Sequence, residues 1–236
     1  MYGTLYLIPC PISDETAPWD VLPAANRAVM DSLDYFIVEN TRSARRFLSK
    51  AGIARPIDTL EFRELNEHTV AGREVEELVK PLVEGRSAGV VSEAGVPGVA
   101  DPGALVVEAC HRRGIRVVPL VGPSSIILAV MASGLNGQSF AFNGYLPVKP
   151  PERAKAIRFF ERRALTEGQS QLFIEAPYRN GKLMEQLVQT LGAETRLTVA
   201  VELTAPGGRI ETRTAGEWRR RPLPELNKRP AIFIIG

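Results

Sequence analysis

The chain contains few of the residues that build metal sites and disulfide frameworks. Its 236 residues include only two cysteines, Cys10 and Cys110, and two histidines, His68 and His111. Two cysteines are too few for a disulfide framework or a four-ligand zinc site. Neither histidine is followed by a second potential ligand three or four residues later. We therefore expect reduced, buried thiols and no bound metal.

The sequence also contains no long apolar run and no pattern that predicts a signal peptide. No hydrophobic stretch approaches the ~18 residues that a membrane span requires. The first residues carry neither a positive cluster nor a small-residue cleavage site, so Leu5 to Ile8 is predicted to be a strand and not part of a signal peptide. The net charge of +2 excludes the strongly basic body of a bulk nucleic-acid coat. We expect a cytoplasmic protein with no membrane partner.

Neither of the common nucleotide-binding patterns, GxGxxG and GxxxxGKS, occurs in the chain. Short aliphatic runs instead alternate with helical patterns from end to end, which predicts an α/β fold. The pattern changes after the strand that ends at Leu120. We predict an N-terminal α/β domain over residues 1–120 and a C-terminal α/β domain with antiparallel character over residues 121–236.

The hydrophobic periodicity and the capping residues predict ten strands and seven helices. The predicted strands are Tyr6 to Pro9, Tyr35 to Glu39, Ile57 to Phe62, Ala88 to Ser92, Ile115 to Leu120, Ser139 to Tyr145, Leu172 to Glu175, Leu197 to Leu203, Ile210 to Thr214 and Ala231 to Ile235. The predicted helices are Pro23 to Leu33, N-cap Thr41 to Gly52, Val70 to Glu84, Pro102 to Arg113, Ile126 to Ser133, Glu152 to Ala164 and Arg179 to Leu191.

The most informative segment is SEAGVPGVADPG, Ser92 to Gly103, which directly follows an apolar strand. Ligands of open α/β sheets bind beyond the carboxyl ends of strands, and glycine lets the backbone approach a ligand closely. This composition favours a binding loop, and a rigid but inert surface loop is the alternative.

Two further loops follow predicted strands. VGPSS, Val121 to Ser125, places two hydroxyls at a helix N-terminus, where they can cap the helix or hold an anionic group. PCPISD, Pro9 to Asp14, follows the first strand. Three such loops at strand ends predict a ligand-binding cleft, and the missing phosphate-binding patterns indicate that its chemistry does not involve a nucleoside triphosphate.

Several short motifs extend this pattern along the chain. They are CPISDE at Cys10 to Glu15, Glu39-Asn40-Thr41-Arg42, FRELNE at Phe62 to Glu67, Gly144-Tyr145-Leu146-Pro147, the segment Ile174 to Arg179, and Pro230-Ala231. Together with SEAGVPGVADPG and VGPSS, these motifs resemble, in order and almost end to end, those of the tetrapyrrole methylase superfamily. This superfamily comprises the class III S-adenosylmethionine (SAM) methyltransferases. Within it, the chain resembles the bacterial 16S ribosomal RNA 2'-O-ribose cytidine methyltransferases.

The resemblance implies a two-domain homodimer that binds SAM in a cleft between an N-terminal and a C-terminal α/β domain, mainly through backbone contacts. The residues that it assigns to the cofactor are Pro11, Ser92, Ala94, Gly95, Val96, Pro97, Val99, Ala100, Asp101, Pro102, Ser124, Ser125, Glu175, Ala176, Pro177, Tyr178, Pro230 and Ala231. The acceptor that it implies is a ribose 2'-hydroxyl of small-subunit ribosomal RNA.

Methyl transfer to a ribose hydroxyl requires an aligned acceptor and a route for its proton. The carboxylates nearest the inferred cleft are Glu39, Glu93 and Asp101, which are candidates for orienting the acceptor or taking its proton. Arg42 is a candidate for holding a phosphate. An ion pair between Glu39 and Arg42 at a helix start is the alternative for those two residues.

The chain departs from the family pattern at several positions on the substrate side. Ser13 and Asp14 replace the glycine and asparagine of its first loop, Arg63 and Leu65 replace its paired histidines, and Ala205 replaces a lysine. Two other functions therefore stay open, a porphyrinoid methyltransferase and a SAM-binding protein without methyl transfer. The basic helix with Lys155, Arg158 and Arg162 is either an RNA-backbone contact or a solvated helix face.

Overall fold

The computed structural model describes residues 1–65 and 72–236. These residues form two compact units, Met1–Ser124 and Ser125–Gly236. Each unit contains one five-stranded sheet packed against helices, which confirms the predicted α/β class. The boundary predicted from the sequence lies after Leu120. His68, the predicted helix start at Val70 and the last two residues of FRELNE lie outside the described residues.

The first unit carries a parallel sheet in the strand order β3-β2-β4-β1-β5. Its elements are β1 (Thr4–Ile8), α1 (Pro18–Val21), α2 (Ala25–Ser32), β2 (Tyr35–Val38), α3 (Thr41–Ala51), β3 (Glu61–Glu64), α4 (Arg73–Val83), β4 (Ala88–Val91), α5 (Gly103–Arg112) and β5 (Arg116–Pro119). Because all five strands run in one direction, their carboxyl ends share one edge of the sheet.

Strands β2 and β4 at the centre of this sheet have no charged or hydroxyl-bearing aliphatic side chain and are buried along their whole length, because helices cover both faces. Along β2, Tyr35 and Ile37 point into one core cluster, which includes side chains of α4 and α5. Phe36 and Val38 point into the other, which includes side chains of α2 and α3. This two-sided burial fixes the register of the strands and therefore the position of each loop at the carboxyl edge.

The second unit carries a mixed sheet in the strand order β6-β7-β10-β8-β9. Its elements are α6 (Ser125–Ser133), β6 (Phe140–Tyr145), α7 (Pro150–Glu167), β7 (Ser170–Ile174), α8 (Asn180–Thr190), β8 (Arg196–Val201), β9 (Arg209–Thr214), α9 (Ala215–Arg219) and β10 (Ala231–Ile235). β6 and β7 are parallel, whereas the pairs β7–β10, β10–β8 and β8–β9 are antiparallel. The predicted antiparallel character of this half is confirmed.

Strand β10 forms the centre of the second unit. Its alternate residues Phe233 and Ile235 pack with side chains of α7, α8 and α9 on one face. Ile232 and Ile234 pack with side chains of α6 on the other face. The strand is thus buried on both sides, as its unbroken AIFII sequence requires.

The structure corrects several local predictions. Asn40, not Thr41, is the N-cap of α3, because its side chain accepts a hydrogen bond from the backbone N–H of Ser43. Helix α7 begins at Pro150, two residues before the predicted start at Glu152, since proline is tolerated in the first helical turn. The short helices α1 and α9 were not predicted. A capping box between Thr214 and Glu217 stabilises the start of α9.

Replacing Phe233 by alanine should destabilise the second unit. The ring is fully buried at the centre of the sheet, and truncating such a phenylalanine typically costs about 3–5 kcal/mol of unfolding free energy. Urea denaturation followed by circular dichroism measures this loss. Leu165→Ala is the control, because that side chain is 64% exposed, and equal losses for the two variants would contradict the assigned core.

Candidate functional site

Three loops meet at the carboxyl edge of the first sheet. They follow β1, β4 and β5, and β1 lies between the other two strands. The segments that the sequence singled out after these strands, beginning at Pro9, Ser92 and Val121, are therefore neighbours in space. Open parallel sheets bind their ligands at this edge.

The loop after β4 is organised by the carboxylate of Asp101. Its Oδ1 accepts hydrogen bonds from the backbone N–H groups of Gly98, at 2.8 Å, and Gly103, at 2.7 Å. The chain can turn this tightly because Gly95 and Gly98 have φ angles of 70° and 81°. Ala100 has a φ of 59°, and a non-glycine residue in this region costs about 1–2 kcal/mol.

The second carboxylate oxygen of Asp101 is left without a partner. Oδ2 is buried and accepts no hydrogen bond from the part of the chain that the structure describes. Burial raises the pKa of this carboxyl above its usual value, and the two amide hydrogen bonds partly offset the increase. A buried acceptor without a donor is costly, so this oxygen marks a place where a ligand donor would be stabilised.

The loops after β1 and β4 are joined by backbone contacts. Cys10 donates its N–H to the carbonyl of Gly95 at 2.8 Å, and its thiol donates to the carbonyl of Ser92 at 3.4 Å. Burial raises the pKa of the Cys10 thiol strongly, so the thiol acts as a donor and not as a thiolate nucleophile. The expected cofactor residues Ser92 and Gly95 are thereby held against the first loop.

Close packing fixes the loop after β5. A Cβ atom on Gly122 would lie 2.3 Å from Cγ of Pro9, so a larger residue cannot occupy this position without moving the backbone. The buried side chain of Asn26 donates to the carbonyl of Val121 at 2.9 Å. The chain thus reaches Ser124 in a defined conformation.

Pro11, in the loop after β1, lines a cavity of about 30 Å³, which has room for about one water molecule.

The structure brings two of the predicted catalytic residues, Glu39 and Glu93, into contact. The backbone N–H of Glu93 donates to Oε2 of Glu39 at 3.2 Å, and the hydroxyl of Ser43 donates to Oε1 of Glu93 at 3.3 Å. Arg42, on the first turn of α3, is exposed and makes no side-chain hydrogen bond or ion pair within residues 1–65 and 72–236. The alternative of a Glu39–Arg42 ion pair is therefore not realised.

A groove of about 610 Å³ runs along the outer side of the loop after β4. The expected cofactor residues Val96, Pro97 and Val99 form one wall, and side chains of α5 and the end of β5 form the other. The volume is within the range of small-molecule sites, and the lining is mainly apolar.

In the second unit, Glu175 follows β7 and repeats the arrangement seen at Asp101. Its Oε1 accepts hydrogen bonds from the backbone N–H of Ala176 at 2.8 Å and from Nε and Nη2 of Arg179 at 2.9 and 2.6 Å. Its Oε2 is buried and has no partner among the described residues. Oδ1 of Asn180 is likewise buried and has no partner among the described residues. The side-chain amide nitrogen of Asn180 donates a hydrogen bond to the carbonyl of Arg229 at 2.6 Å.

Hydrogen bonds join the segment after β7 to the segment before β10. Lys228 donates its N–H to the carbonyl of Pro177 at 3.0 Å, and Glu202 donates its N–H to the carbonyl of Pro230 at 2.9 Å. The second unit thus brings together two segments that the sequence assigned to one ligand, Glu175 to Tyr178 and Pro230-Ala231. Ala231 is buried, whereas the Tyr178 side chain is 65% exposed.

Sequence reasoning missed the polar residues that support these segments. Arg229 pairs with Glu202 at 2.6 Å, and this contact lowers the pKa of the Glu202 carboxyl below its usual value. Glu202 and Lys228 have φ angles of 48° and 60°. Such conformations cost of order 1–3 kcal/mol each and concentrate at functional sites. The sequence signals next to them, the departure at Ala205 and the motif Pro230-Ala231, did not point to these side chains.

No group of three or more potential metal ligands is found in the ranges that the structure describes. Among the same residues, no helix combines the length and the apolar character needed to cross a membrane.

The sequence matches the family described as Tetrapyrrole (Corrin/Porphyrin) Methylases over residues 5–218. It is 32% identical over 233 residues to a Xylella fastidiosa (strain Temecula1) protein named ribosomal RNA small subunit methyltransferase I, over 99% of this chain and 80% of that relative. A protein of the same name from Escherichia coli O157:H7 is 33% identical over 233 residues, with coverage of 99% and 77%. Among solved structures, the methyltransferase CobJ has a similar fold, with a TM-score of 0.65, 18% identity and coverage of 99% of this chain and 94% of that chain.

Replacing Gly122 by alanine should destabilise the first unit by about 1–3 kcal/mol, because the new methyl group overlaps Pro9 and forces the two loops apart. The free energy of unfolding in urea measures the effect. Gly181→Ala is the matched control. That glycine lies in α8 with no atom within 4 Å of the new Cβ, so its replacement should be neutral or stabilise by up to about 1 kcal/mol. Equal effects of the two substitutions would contradict the close packing.

Proposed function

Because the chain belongs to the tetrapyrrole methylase family, we propose that it methylates a ribose 2'-hydroxyl of small-subunit ribosomal RNA. The chain is a methyltransferase, and SAM is its methyl donor. The observation that carries the choice of acceptor is the similarity, over 99% of the chain, to relatives named ribosomal RNA small subunit methyltransferase I. The choice of the ribose hydroxyl rests on the ordered motif resemblance, which runs from the first loop to Pro230-Ala231.

The described residues fit the donor groups of SAM. The cofactor carries an ammonium group, an adenine amine and two ribose hydroxyls, all of which donate hydrogen bonds. Oδ2 of Asp101 and Oε2 of Glu175 are buried acceptors with no donor within residues 1–65 and 72–236, and the donor groups of SAM would satisfy them. Ser92, Ala94 and Gly95 present a tightly turned backbone beside Asp101. We assign the loop Ser92 to Pro102 with Pro11, the serines Ser124 and Ser125, and the segments Glu175 to Tyr178 and Pro230-Ala231 to the cofactor.

SAM supplies a methyl group activated by attachment to a sulfonium sulfur. Transfer of this methyl group to the acceptor oxygen would leave the cofactor as a neutral thioether and would release the hydroxyl proton. The chain must therefore hold the acceptor in line and provide a path for that proton. Glu39 and Glu93 are joined at the carboxyl edge and are the candidates for this task. Arg42, exposed and without a partner among the described residues, is suited to an RNA phosphate.

Asp101→Asn should lower SAM affinity while the loop stays folded. The amide keeps an oxygen for the N–H groups of Gly98 and Gly103, but it replaces the spare acceptor by a donor. The lost charge-assisted hydrogen bond should weaken binding about 10- to 100-fold in isothermal titration calorimetry. Glu185→Gln, on the exposed face of α8, is the control for a lost carboxylate. Unchanged SAM affinity of Asp101→Asn would overturn the assignment of Oδ2.

Purified protein incubated with SAM and small-subunit ribosomal RNA should produce one additional 2'-O-methyl nucleoside. The RNA should be supplied both free and within small subunits from cells that lack the activity. Mass spectrometry of the digested nucleosides distinguishes a ribose methyl from a base methyl. A base methyl would retain ribosomal RNA but exclude the hydroxyl acceptor. Methylation of a porphyrinoid substrate in place of RNA would overturn the proposal.

We also propose that the protein is cytoplasmic and that it is a homodimer, the second of which the family resemblance implies. The exposed apolar side chains of Ile127 and Met131, 47% and 74% exposed on one face of α6, support a protein contact there. Sedimentation equilibrium should give twice the 25.8 kDa chain mass. The double substitution Ile127→Glu and Met131→Glu should shift the mass towards the monomer, whereas Val83→Glu, at an exposed site on α4, should not. A monomeric wild-type protein would contradict this proposal.

A further inference from the structure

Helix α7 presents a basic stripe to solvent. Lys155, Arg158 and Arg162 follow one another at intervals of three and four residues, so they lie on one face of the helix within about 10 Å along its axis. All three are exposed, while Ile157 and Ala164 on the opposite face are buried. The basic stripe is therefore a surface feature and contributes nothing to the core.

The cations of the basic stripe are not neutralised within the described part of the chain. Their side chains make no hydrogen bond or ion pair there. The other charges of α7 are engaged: Arg163 binds Glu167 at 3.0 Å, and Oε1 of Glu161 accepts hydrogen bonds from the N–H of Gly192 and the hydroxyl of Thr195, both at 2.6 Å. Three adjacent unpaired cations repel one another, and a row of phosphates would remove that repulsion.

An aromatic ring lies beside the cations. Phe159 is 54% exposed, and its ring contacts Phe160 edge-on, with centroids 5.2 Å apart. Phe160 in turn contacts the fully buried ring of Phe173, also edge-on, at 5.1 Å. This chain of rings ties the exposed phenylalanine to the core, so its free face is pre-oriented. A fixed aromatic face next to basic side chains is the usual arrangement for binding a single-stranded nucleic acid.

We propose that the basic stripe and Phe159 bind a single-stranded segment of the RNA substrate, with phosphates at Lys155, Arg158 and Arg162 and a base stacked on Phe159. The inference rests on the proposed function, because it places part of the RNA that the enzyme methylates. It also explains why α7 exposes a large aromatic side chain among charges.

The experiment measures fluorescence anisotropy of a labelled single-stranded RNA of about 12 nucleotides across a salt series. The triple variant Lys155→Gln, Arg158→Gln, Arg162→Gln should bind at least tenfold more weakly at low salt. The slope of log affinity against log salt should become less steep by about 2, as expected when three phosphate contacts are lost. Phe159→Leu should weaken binding about tenfold and leave the slope unchanged, because stacking releases no counterions.

A charge-matched control removes three exposed cations elsewhere, through Arg116→Gln, Lys182→Gln and Arg220→Gln. This variant should retain most of the RNA affinity. An equal loss in the control would mean that net charge alone governs binding and would overturn the inference. The inference would also be overturned if the wild-type protein did not bind the RNA. Binding to phosphatidylserine vesicles that depends on the basic stripe, with RNA binding unaffected, would identify a membrane surface and overturn it as well.

Parallel methylation assays on small-subunit ribosomal RNA separate this inference from the proposed function. An unchanged KM for RNA in the triple variant would overturn the inference and leave the function intact. Binding of RNA that depends on the basic stripe, by a protein that methylates no RNA, would support the surface and overturn the function. The expected result is a KM for RNA raised at least tenfold, with SAM affinity unchanged.

Discussion

The position of the loop after β4 depends on the two hydrogen bonds that Oδ1 of Asp101 accepts from Gly98 and Gly103. They hold two glycines and a strained alanine in a turn that the backbone would not otherwise keep. This turn also supports the hydrogen bond between Cys10 and Gly95, which holds the first loop against the loop after β4. Oδ1 accepts both of these hydrogen bonds, whereas Oδ2 is buried and has no donor among the described residues, so the carboxylate that builds the loop also leaves an acceptor unused.

Glu175 has the same role in the second unit that Asp101 has in the first. One oxygen accepts hydrogen bonds from Ala176 and Arg179, and the other is buried with no partner among the described residues. The strained residues Glu202 and Lys228 are held by hydrogen bonds to Pro230 and Pro177, so the backbone around Glu175 is fixed before any ligand arrives. Each unit thus holds a loop by hydrogen bonds and keeps a buried carboxylate oxygen that has no donor among the described residues, a form of preorganisation that reduces the entropy cost of binding.

The sequence predicted those parts of the structure that depend on local pattern. Apolar runs such as AIFII gave the strands, and the glycine- and proline-rich Ser92 to Gly103 marked the loop that the structure places at the carboxyl edge. The N-cap was misassigned to Thr41 because two capping residues, Asn40 and Thr41, stand side by side and only the backbone decides between them. Asn180 and Arg229 could not be predicted, since they meet across 49 residues and no local pattern reports such a contact.

The proposed function is that of an enzyme that aligns an RNA hydroxyl with an activated methyl group. The most direct test is nucleoside mass spectrometry of 16S ribosomal RNA from the source organism with and without this gene, followed by mapping of any missing methyl. The account predicts the loss of one 2'-O-methyl nucleotide, restored by the wild-type gene. An unchanged modification profile would contradict it, because ribosomal RNA would then not be the substrate.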